Sequence, residues 1–399
     1  MRIAFLCTSS FDYPSPRGRW LPLARRLVRA GHEVHLLMLH PTFDRVRMRR
    51  FTCDGVHCMY VGQMHVYGLP GERRHFGALE LASVSLRGAL ALAQTAIRLQ
   101  PDMLHIAKPQ PINGLAGVLA ARNGARLYVD CDDYEANANH FRGAWQRQIV
   151  AWWEDRLPRM ARGVSVNTRF LYDRLQRLGV SEQRLRYVPN GVDFDRQTFP
   201  DERRVDALRA ALGLHHHPTV VYLGAISTVA HGIRLLIDAF AILVRRLPAA
   251  RLVIVGDGDD RPALMAYARA RGLTRTMIWT GRAPPEAALT WLALGDCSVD
   301  PVDDTPAAAA RSPLKVVESL AAGVPVVTGD VGDRRDMIGD TAGVIVPPGD
   351  AQALADGIAT VLTDSALCAQ LAHGARVRAA AYDWDQLTHA WQTLYQIDR

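Results

Sequence analysis

Lysine is almost missing from this chain. Of 47 basic residues only Lys108 and Lys315 are lysine, and the other 45 are arginine. A chain that uses arginine for nearly every surface charge has few reasons to keep a compact ammonium; approach to a phosphate as a point charge is one. Paired cysteines are missing too. The six lie scattered at 7, 53, 58, 131, 297 and 368 with no CxxC, which argues against a zinc framework. Cys53 and Cys58 flank a turn at Asp54-Gly55 and could approach each other, although reduced cytosolic thiols need not pair. No apolar run nears the ~18 residues that span a bilayer. Leu235 to Val244 is broken by Asp238, and Leu86 to Leu99 by Arg87 and Gln94. The first seven residues are too short for a signal peptide and read as a strand, so a cytoplasmic location is expected. The first strand has no G-x-G-x-x-G, and Gly256-Asp257-Gly258-Asp259-Asp260-Arg261 lacks the third glycine, which disfavours a dinucleotide-dependent oxidoreductase.

The net charge is +7, yet no nucleic-acid motif accompanies it. Such a balance suits phosphorylated substrates or an anionic membrane face. The densest basic run, Arg45, Arg47, Arg49 and Arg50, reads as a solvated helix face or loop, or as membrane contact. At 399 residues, 49% of them hydrophobic and 22% charged, the chain suits two globular domains.

Strand and helix patterns alternate throughout, predicting α/β architecture with parallel sheets. Strands are expected at Arg2–Cys7, Glu33–Leu39, Val56–Gly62, Met103–Ala107, Arg126–Cys131, Gly163–Asn167 and Arg186–Pro189. A second set follows Pro218, at Val220–Gly224, Leu252–Gly256, Met277–Gly281, Ser298–Pro301, Pro325–Thr328 and Val344–Val346. Two doubly wound domains result, 1–195 and 196–383, with the joint inside 190–218. The His215-His216-His217 run there reads as linker, because adjacent positions cannot all turn to one metal ion. The aromatic segment 384–399 is expected to pack back on the first domain. Ligands of such sheets bind beyond the carboxyl ends of the strands, so a cleft between the two domains is the expected site.

The strongest local signal is Arg311-Ser312-Pro313-Leu314-Lys315-Val316-Val317-Glu318-Ser319-Leu320-Ala321-Ala322-Gly323. Ser312 suits an N-cap, Pro313 the first helical position and Gly323 the C-terminal stop. Lys315 then falls in the first turn, where a cation opposes the helix dipole. A diphosphate bound at that N-terminus would resolve the conflict; pairing of Lys315 with Glu318 is the other reading.

This run closely resembles the donor-site signature of the retaining GT-B glycosyltransferases of family 4. Tyr187-Val188-Pro189-Asn190-Gly191-Val192-Asp193 resembles their interdomain segment, Leu252 to Gly258 their mid-domain strand and turn, and Gly31-His32-Glu33-Val34 the start of their second strand. The resemblance implies a GT-B fold of two Rossmann-like domains, the first holding the acceptor and the second the sugar-nucleotide donor. It implies nucleotide-ribose binding by Glu318. The family's usual earlier glutamate would fall at Ala310 and is absent, although variants with Ser-Pro-Leu-Lys resemble a subgroup. Ala225 stands where the family has arginine, and His231 near where it has lysine, so Arg311 and Lys315 are expected to carry more of the phosphate charge.

The expected donor contacts are Gly18, Gly224, Ser227, His231, Gly256, Arg282, Ser312, Pro313, Leu314 and Glu318. Gly18 reads either as a close-approach glycine or as a helix-entry glycine. Lys108, after a strand ending at Ala107, is expected to meet donor phosphates or an anionic acceptor. Asp132 and Asp133 occupy the place of the family's His-Asp pair; several acidic groups invite a metal, but the resemblance implies hydroxyl contacts without one, with Asp133 foremost. Lys315, Arg311 and Asp133 are thus the expected catalytic residues, with no cofactor beyond the nucleoside-diphosphate sugar. The expected acceptor is a glycan, a lipid-linked sugar or a small molecule, and peripheral contact at the inner membrane face is compatible with the first two. A catalytically silent sugar-nucleotide-binding subunit is the alternative that Ala225 and Ala310 motivate.

Overall fold

The computed structural model describes residues 1–13, 15–68, 74–139, 141, 143–197, 199–228 and 232–395. The chain divides into two compact units: Met1–Pro189 joined by the terminal segment from Trp384, and Asn190–Asp383. The division falls after Pro189 rather than at 195. Val192 already belongs to the second unit, where it bridges Asp383 in parallel and its N–H donates to the Tyr382 carbonyl at 2.8 Å.

The first unit carries β1 (Arg2–Cys7), β2 (Glu33–His40), β3 (Arg50–Cys53), β4 (Val56–Gln63), β5 (Val66–Tyr67), β6 (Arg74–His75), β7 (Met103–Ala107), β8 (Arg126–Cys131), β9 (Gly163–Val166) and β10 (Leu185–Tyr187). Eight of these form one sheet in the order β10-β9-β8-β7-β1-β2-β4-β3, parallel except for β3. The second unit carries β11 (Thr219–Leu223), β12 (Arg251–Val255), β13 (Met277–Gly281), β14 (Cys297–Asp300), β15 (Val326–Gly329) and β16 (Gly343–Val346), ordered β13-β12-β11-β14-β15-β16 and all parallel. The central strands read as near-continuous apolar runs because helices bury both faces. Among the parallel strands of each sheet the order reverses once, between β1 and β7 and between β11 and β14. These are the topological switch points at which open α/β sheets bind ligands.

The strands expected from the sequence are present, with ends moved by a residue or two. The unexpected strands are β3 and the short antiparallel pair β5 and β6. β3 pairs antiparallel with β4 through Asp54 and Gly55, both at positive φ, a tight hairpin turn. Arg50 therefore opens an edge strand rather than lying on a helix. The register sets Cys53 opposite Val56 and Cys58 opposite Phe51, and the two thiols are not joined in a disulfide.

The Trp384–Tyr395 helix lies in the core of the first unit. Trp391 and Tyr395 close on His105, whose Nδ1 lies 3.1 Å from the Tyr395 hydroxyl; burial pushes the imidazole down to about 3. At Gly163 a Cβ would stand 2.6 Å from Leu394, so glycine there admits the helix.

Candidate functional site

At the first switch point the carboxyl ends of β7 and β8 deliver Lys108 and the acidic run 130–135. The run separates in space. Asp130 is fully buried and takes two bonds from the Arg19 guanidinium, at 2.7 and 2.8 Å, with Trp20 Nε1 at 3.0 Å and Ser165 Oγ at 2.7 Å. Burial would raise its pKa, but Arg19 outweighs burial and holds the carboxyl below its ordinary value. Asp130 is thus a packing anchor for the segment that opens the first helix. Gly18 lies in that segment, inside a π-helical turn over Pro16–Trp20 that runs into Leu21–Arg29, which is the helix-entry position.

Lys108 adopts a left-handed backbone, φ 75°, and turns its ammonium into the remaining acids. Nζ lies 2.6 Å from Asp133, 2.8 Å from Glu135 and 3.2 Å from Asp132. Burial opposes its charge, but the three carboxylates outweigh that and hold its pKa well above the usual value. Lys108 was expected to meet a phosphate or an anionic acceptor; here its ammonium lies against three carboxylates. The oxygens of Asp132, Asp133 and Glu135 lie close enough to ligate one metal ion, and Lys108 supplies a positive charge to all three. Around them Gln110 Nε2 donates to Glu135 at 2.7 Å, and Thr8 Oγ1 bonds Gln110 at 2.7 Å. Glu154 accepts the N–H groups of Glu135 and Ala136, yet burial raises it to about 8. Asp132, buried and beside Asp133, is pushed up to about 7 against the pull of Lys108. Asp133 is the half-exposed member, which leaves it reachable from outside.

At the second switch point three segments converge. Asp300 ends β14, Gly224 follows β11, and the Leu314–Ala322 helix brings Lys315. Lys315 Nζ lies 3.1 Å from Asp300 Oδ1 and 5.1 Å from the Tyr222 ring centre. Arg334 Nε donates to the other Asp300 oxygen at 2.7 Å, and its Nη1 reaches the carbonyls of Ala308 and Val331. Burial opposes ionisation of Asp300, but Lys315 and Arg334 prevail and hold it well below the carboxylate range. Burial lowers the Lys315 pKa, with Asp300 pulling the other way. Two cations around one carboxylate leave this buried triad one positive charge in excess. Asp300 and Arg334 escaped the sequence reading: Asp300 passed as strand, and Arg334 is one arginine among 45.

The helix itself starts later than expected. Pro313 is extended, ψ 113°, and occupies the N-cap, so Lys315 is the second helical residue. Ser312 caps nothing. Its Oγ accepts the Asn190 N–H at 3.0 Å, and its carbonyl accepts Asn190 Nδ2 at 2.8 Å, which ties the entry segment to the helix. Gly323 closes the helix in the left-handed region, as expected. Leu314 is half-buried, and Glu318, one turn beyond Lys315, is raised to about 7 by burial, partly offset by Lys315. Lys315 donates to Asp300, and its charge also acts on Glu318. Ala310 is fully buried.

Gly224 and Gly256 have a structural reason of their own. A Cβ at Gly256 would stand 1.8 Å from the Gly224 carbonyl oxygen, and one at Gly224 would stand 3.1 Å from Lys315 Cε. The loops after β11 and β12 thus lie backbone on backbone. Ser227 is half-buried beside Thr228, whose N–H and hydroxyl both bond Asp260 at 2.7 Å; Arg282 is exposed after β13. His231 lies outside the described residues.

Two Rossmann-like domains, each with polar residues gathered at its switch point, define the GT-B class of α/β fold. The model called "Glycosyl transferase 4-like domain" matches residues 17–191, and "Glycosyl transferases group 1" matches 217–364. Together they span most of the chain, which belongs to the glycosyl transferase family that these two models describe, and the chain spans little more than half the length of the curated relatives it matches. It is similar to the alpha-D-kanosaminyltransferase of Streptomyces kanamyceticus, 30% identical over 238 residues; the match covers 58% of this chain and 59% of that protein. Its fold matches the sucrose-phosphate synthase of Thermosynechococcus elongatus with a TM-score of 0.80 at 19% identity, over 99% of this chain and 98% of that one. It also matches Anabaena HepE, solved with UDP-glucose, with a TM-score of 0.75 at 18% identity, over 99% and 100%. Among the described residues no helix is long and apolar enough to cross a membrane.

Proposed function

We propose that the chain moves a sugar from a nucleoside-diphosphate sugar to an acceptor hydroxyl on a glycan, a lipid-linked sugar or a small molecule, with retention at the anomeric carbon. The observation that carries this reading is the Lys315–Asp300–Arg334 triad at the second switch point. It presents one excess positive charge on the first turn of a helix whose dipole also favours an anion. Breaking the bond between sugar and diphosphate builds charge on the leaving phosphate. A preorganised ammonium and first-turn N–H groups stabilise that charge without reorganising. Arg311 adds to this field. Glu318 receives the ribose hydroxyls, its burial suiting a carboxyl that is hydrogen-bonded rather than solvated. In the first unit Asp133 meets the acceptor hydroxyl while Lys108 holds its carboxylate. Retention follows from same-face attack, the leaving phosphate taking the acceptor proton. Charge compensation by Lys108 and Lys315 lets this chemistry run without a metal ion.

Thermal stabilisation by UDP, GDP, ADP and dTDP, with NAD as control, tests the reading. A nucleotide at a hundredfold over its Kd should stabilise by about 2.7 kcal/mol. A response to one nucleoside diphosphate, together with hydrolysis of its sugar conjugate in the absence of acceptor, supports transfer. Silence across the panel, or a response to NAD alone, refutes it. Binding without hydrolysis leaves the silent sugar-nucleotide-binding subunit.

A further inference from the structure

One face of the first unit is built against the usual pattern of a water-facing surface. The Ala78–Leu99 helix exposes Leu79, Leu86, Leu90 and Ile97, with Leu79 at 90% and Leu86 at 52%. Their spacings of seven, four and seven residues place all four on a single line along the helix. From Leu79 to Ile97 that line is about 27 Å long. The Ala144–Met160 helix repeats the design. Trp145, Ile149 and Trp152 are exposed in one stripe that continues into Arg156 and Arg159.

The two helices share a face of the sheet. They follow β4 and β8, and the connections β4 to β7, β7 to β8 and β8 to β9 all step the same way across the strand order. Right-handed crossovers therefore put them on the same side. The Pro111–Ala121 helix lies there too, with Trp153 seated over Gly114, so that Trp153 is turned inward and its neighbour Trp152, 55% exposed, is turned out.

Charge on these two helices has one outward sign. Their acidic residues are Glu80, which pairs with Arg74; Glu154, which is buried; and Asp155, which pairs with Arg174. Their arginines 87, 98, 147, 156 and 159 are all exposed. An apolar line flanked by arginine, with tryptophan at its margin, is the composition of a helix that lies in a lipid headgroup layer. Two copies of this face would set arginine against arginine, which disfavours self-association.

We propose that this face docks the protein on an anionic lipid bilayer, the leucine line and the two tryptophans entering the headgroup region and the arginines meeting lipid phosphates. The docking does not rest on the transfer reading. A chain that is silent towards nucleotides yet binds anionic vesicles keeps this proposal and loses that one.

The test is co-sedimentation of the full chain with vesicles of phosphatidylcholine alone and of phosphatidylcholine mixed with phosphatidylglycerol. Capture by the mixed vesicles, weak capture by the neutral ones and release by salt are expected. Each surface arginine contributes roughly a fivefold factor, so Arg156→Gln with Arg159→Gln should weaken partitioning about 25-fold. Leu86→Ser with Leu90→Ser should weaken it by roughly tenfold or more per leucine. All four positions are exposed, so the melting temperature of each variant should match the parent. A readout that needs no variant is quenching of tryptophan emission by vesicles carrying brominated acyl chains. The proposal is overturned by equal capture on neutral and anionic vesicles, by partitioning indifferent to both double variants, or by unquenched emission. A concentration-dependent dimer abolished by the leucine variant would overturn it in favour of a second copy.

Discussion

Lys315→Ala separates the two tasks that the ammonium performs. In the free protein its Nζ donates to Asp300 across 3.1 Å in a buried setting. Loss of a hydrogen bond between charged groups costs about 1.5–3 kcal/mol. The larger cost of an orphaned buried charge, about 3–5 kcal/mol, does not apply, because Arg334 still holds Asp300 at 2.7 Å. A stability loss near 2 kcal/mol is therefore expected. The second task concerns the reaction. Without Lys315 the triad falls from one excess positive charge to none, just where the proposed reading puts the leaving diphosphate. Removal of a preorganised donor of this kind costs on the order of 100- to 1000-fold in turnover.

Two assays read the two tasks apart. Denaturant unfolding gives the stability term, and donor hydrolysis at saturating sugar nucleotide gives the turnover term. Nucleotide-induced stabilisation should shrink in parallel with turnover. Asp300→Asn provides the contrast: it leaves Lys315 and Arg334 both buried without their anion, so its stability loss should exceed that of Lys315→Ala. A Lys315→Ala protein that loses the expected stability but turns over near normally would refute the reasoning, leaving Lys315 as nothing more than the partner of Asp300.

Two further outcomes follow from the same geometry. Glu318 is raised to about 7 in the fold, so the fold favours its neutral form, and the stability it contributes is complete below the unfolded value near 4.3 and lost as pH rises through about 7. Asp132 and Glu154, raised to about 7 and about 8, act in the same direction. Glu318→Gln should therefore gain stability relative to the parent between about pH 5 and pH 8, by up to about 3 kcal/mol, and urea unfolding curves that stay parallel across that range would contradict this. Gly256→Ala forces a Cβ to within 1.8 Å of the Gly224 oxygen and should cost at least about 2–3 kcal/mol. Gly77→Ala, which meets nothing within 4 Å at φ −66°, should change the melting midpoint little, and equal effects at the two sites would show that the backbone contact is unimportant.

The parallel strands were legible because each is a short apolar run between turn signals, and two-sided burial writes the same pattern into every one. β3 was not, since an edge strand exposing Arg50 and Thr52 has no apolar run to read. The Leu314–Ala322 helix was legible in its stop, Gly323, and misread in its start. Ser312-Pro313 has the composition of a cap, but the Ser312 hydroxyl is used by Asn190, a residue 122 positions away. The Lys315 anion site was inferred from local sequence, whereas its carboxylate partner came from β14 and its companion cation from beyond β15. Long-range ion pairs leave no local pattern, and an arginine-rich chain conceals Arg334 among its peers. The acidic run 130–135 misled in another way. Adjacent acids suggest a single cluster, yet Asp130 goes to Arg19 and only Asp132, Asp133 and Glu135 gather at Lys108.

Both lysines of an arginine-rich chain sit at a switch point, and both are nearly buried against carboxylate. The geometry explains the choice. At Lys108 three carboxylates converge on one atom at 2.6 to 3.2 Å, and an ammonium can direct its three protons to three sides. A guanidinium spreads five N–H groups in one plane and suits a carboxylate met edge-on, as Arg19 meets Asp130. At Lys315 the side chain threads between the Tyr222 ring and Gly224, with Cε only 3.1 Å from where a Cβ would be. A longer, planar guanidinium would crowd Tyr222 and the Gly224 backbone in reaching Asp300. Lys108→Arg and Lys315→Arg should therefore each lower the melting midpoint, although charge is conserved, whereas Arg98→Lys on the exposed helix face should leave it unchanged. If both switch-point sites accept arginine without loss, the scarcity of lysine reflects composition alone, and neither ammonium is held in place by the need for a point charge.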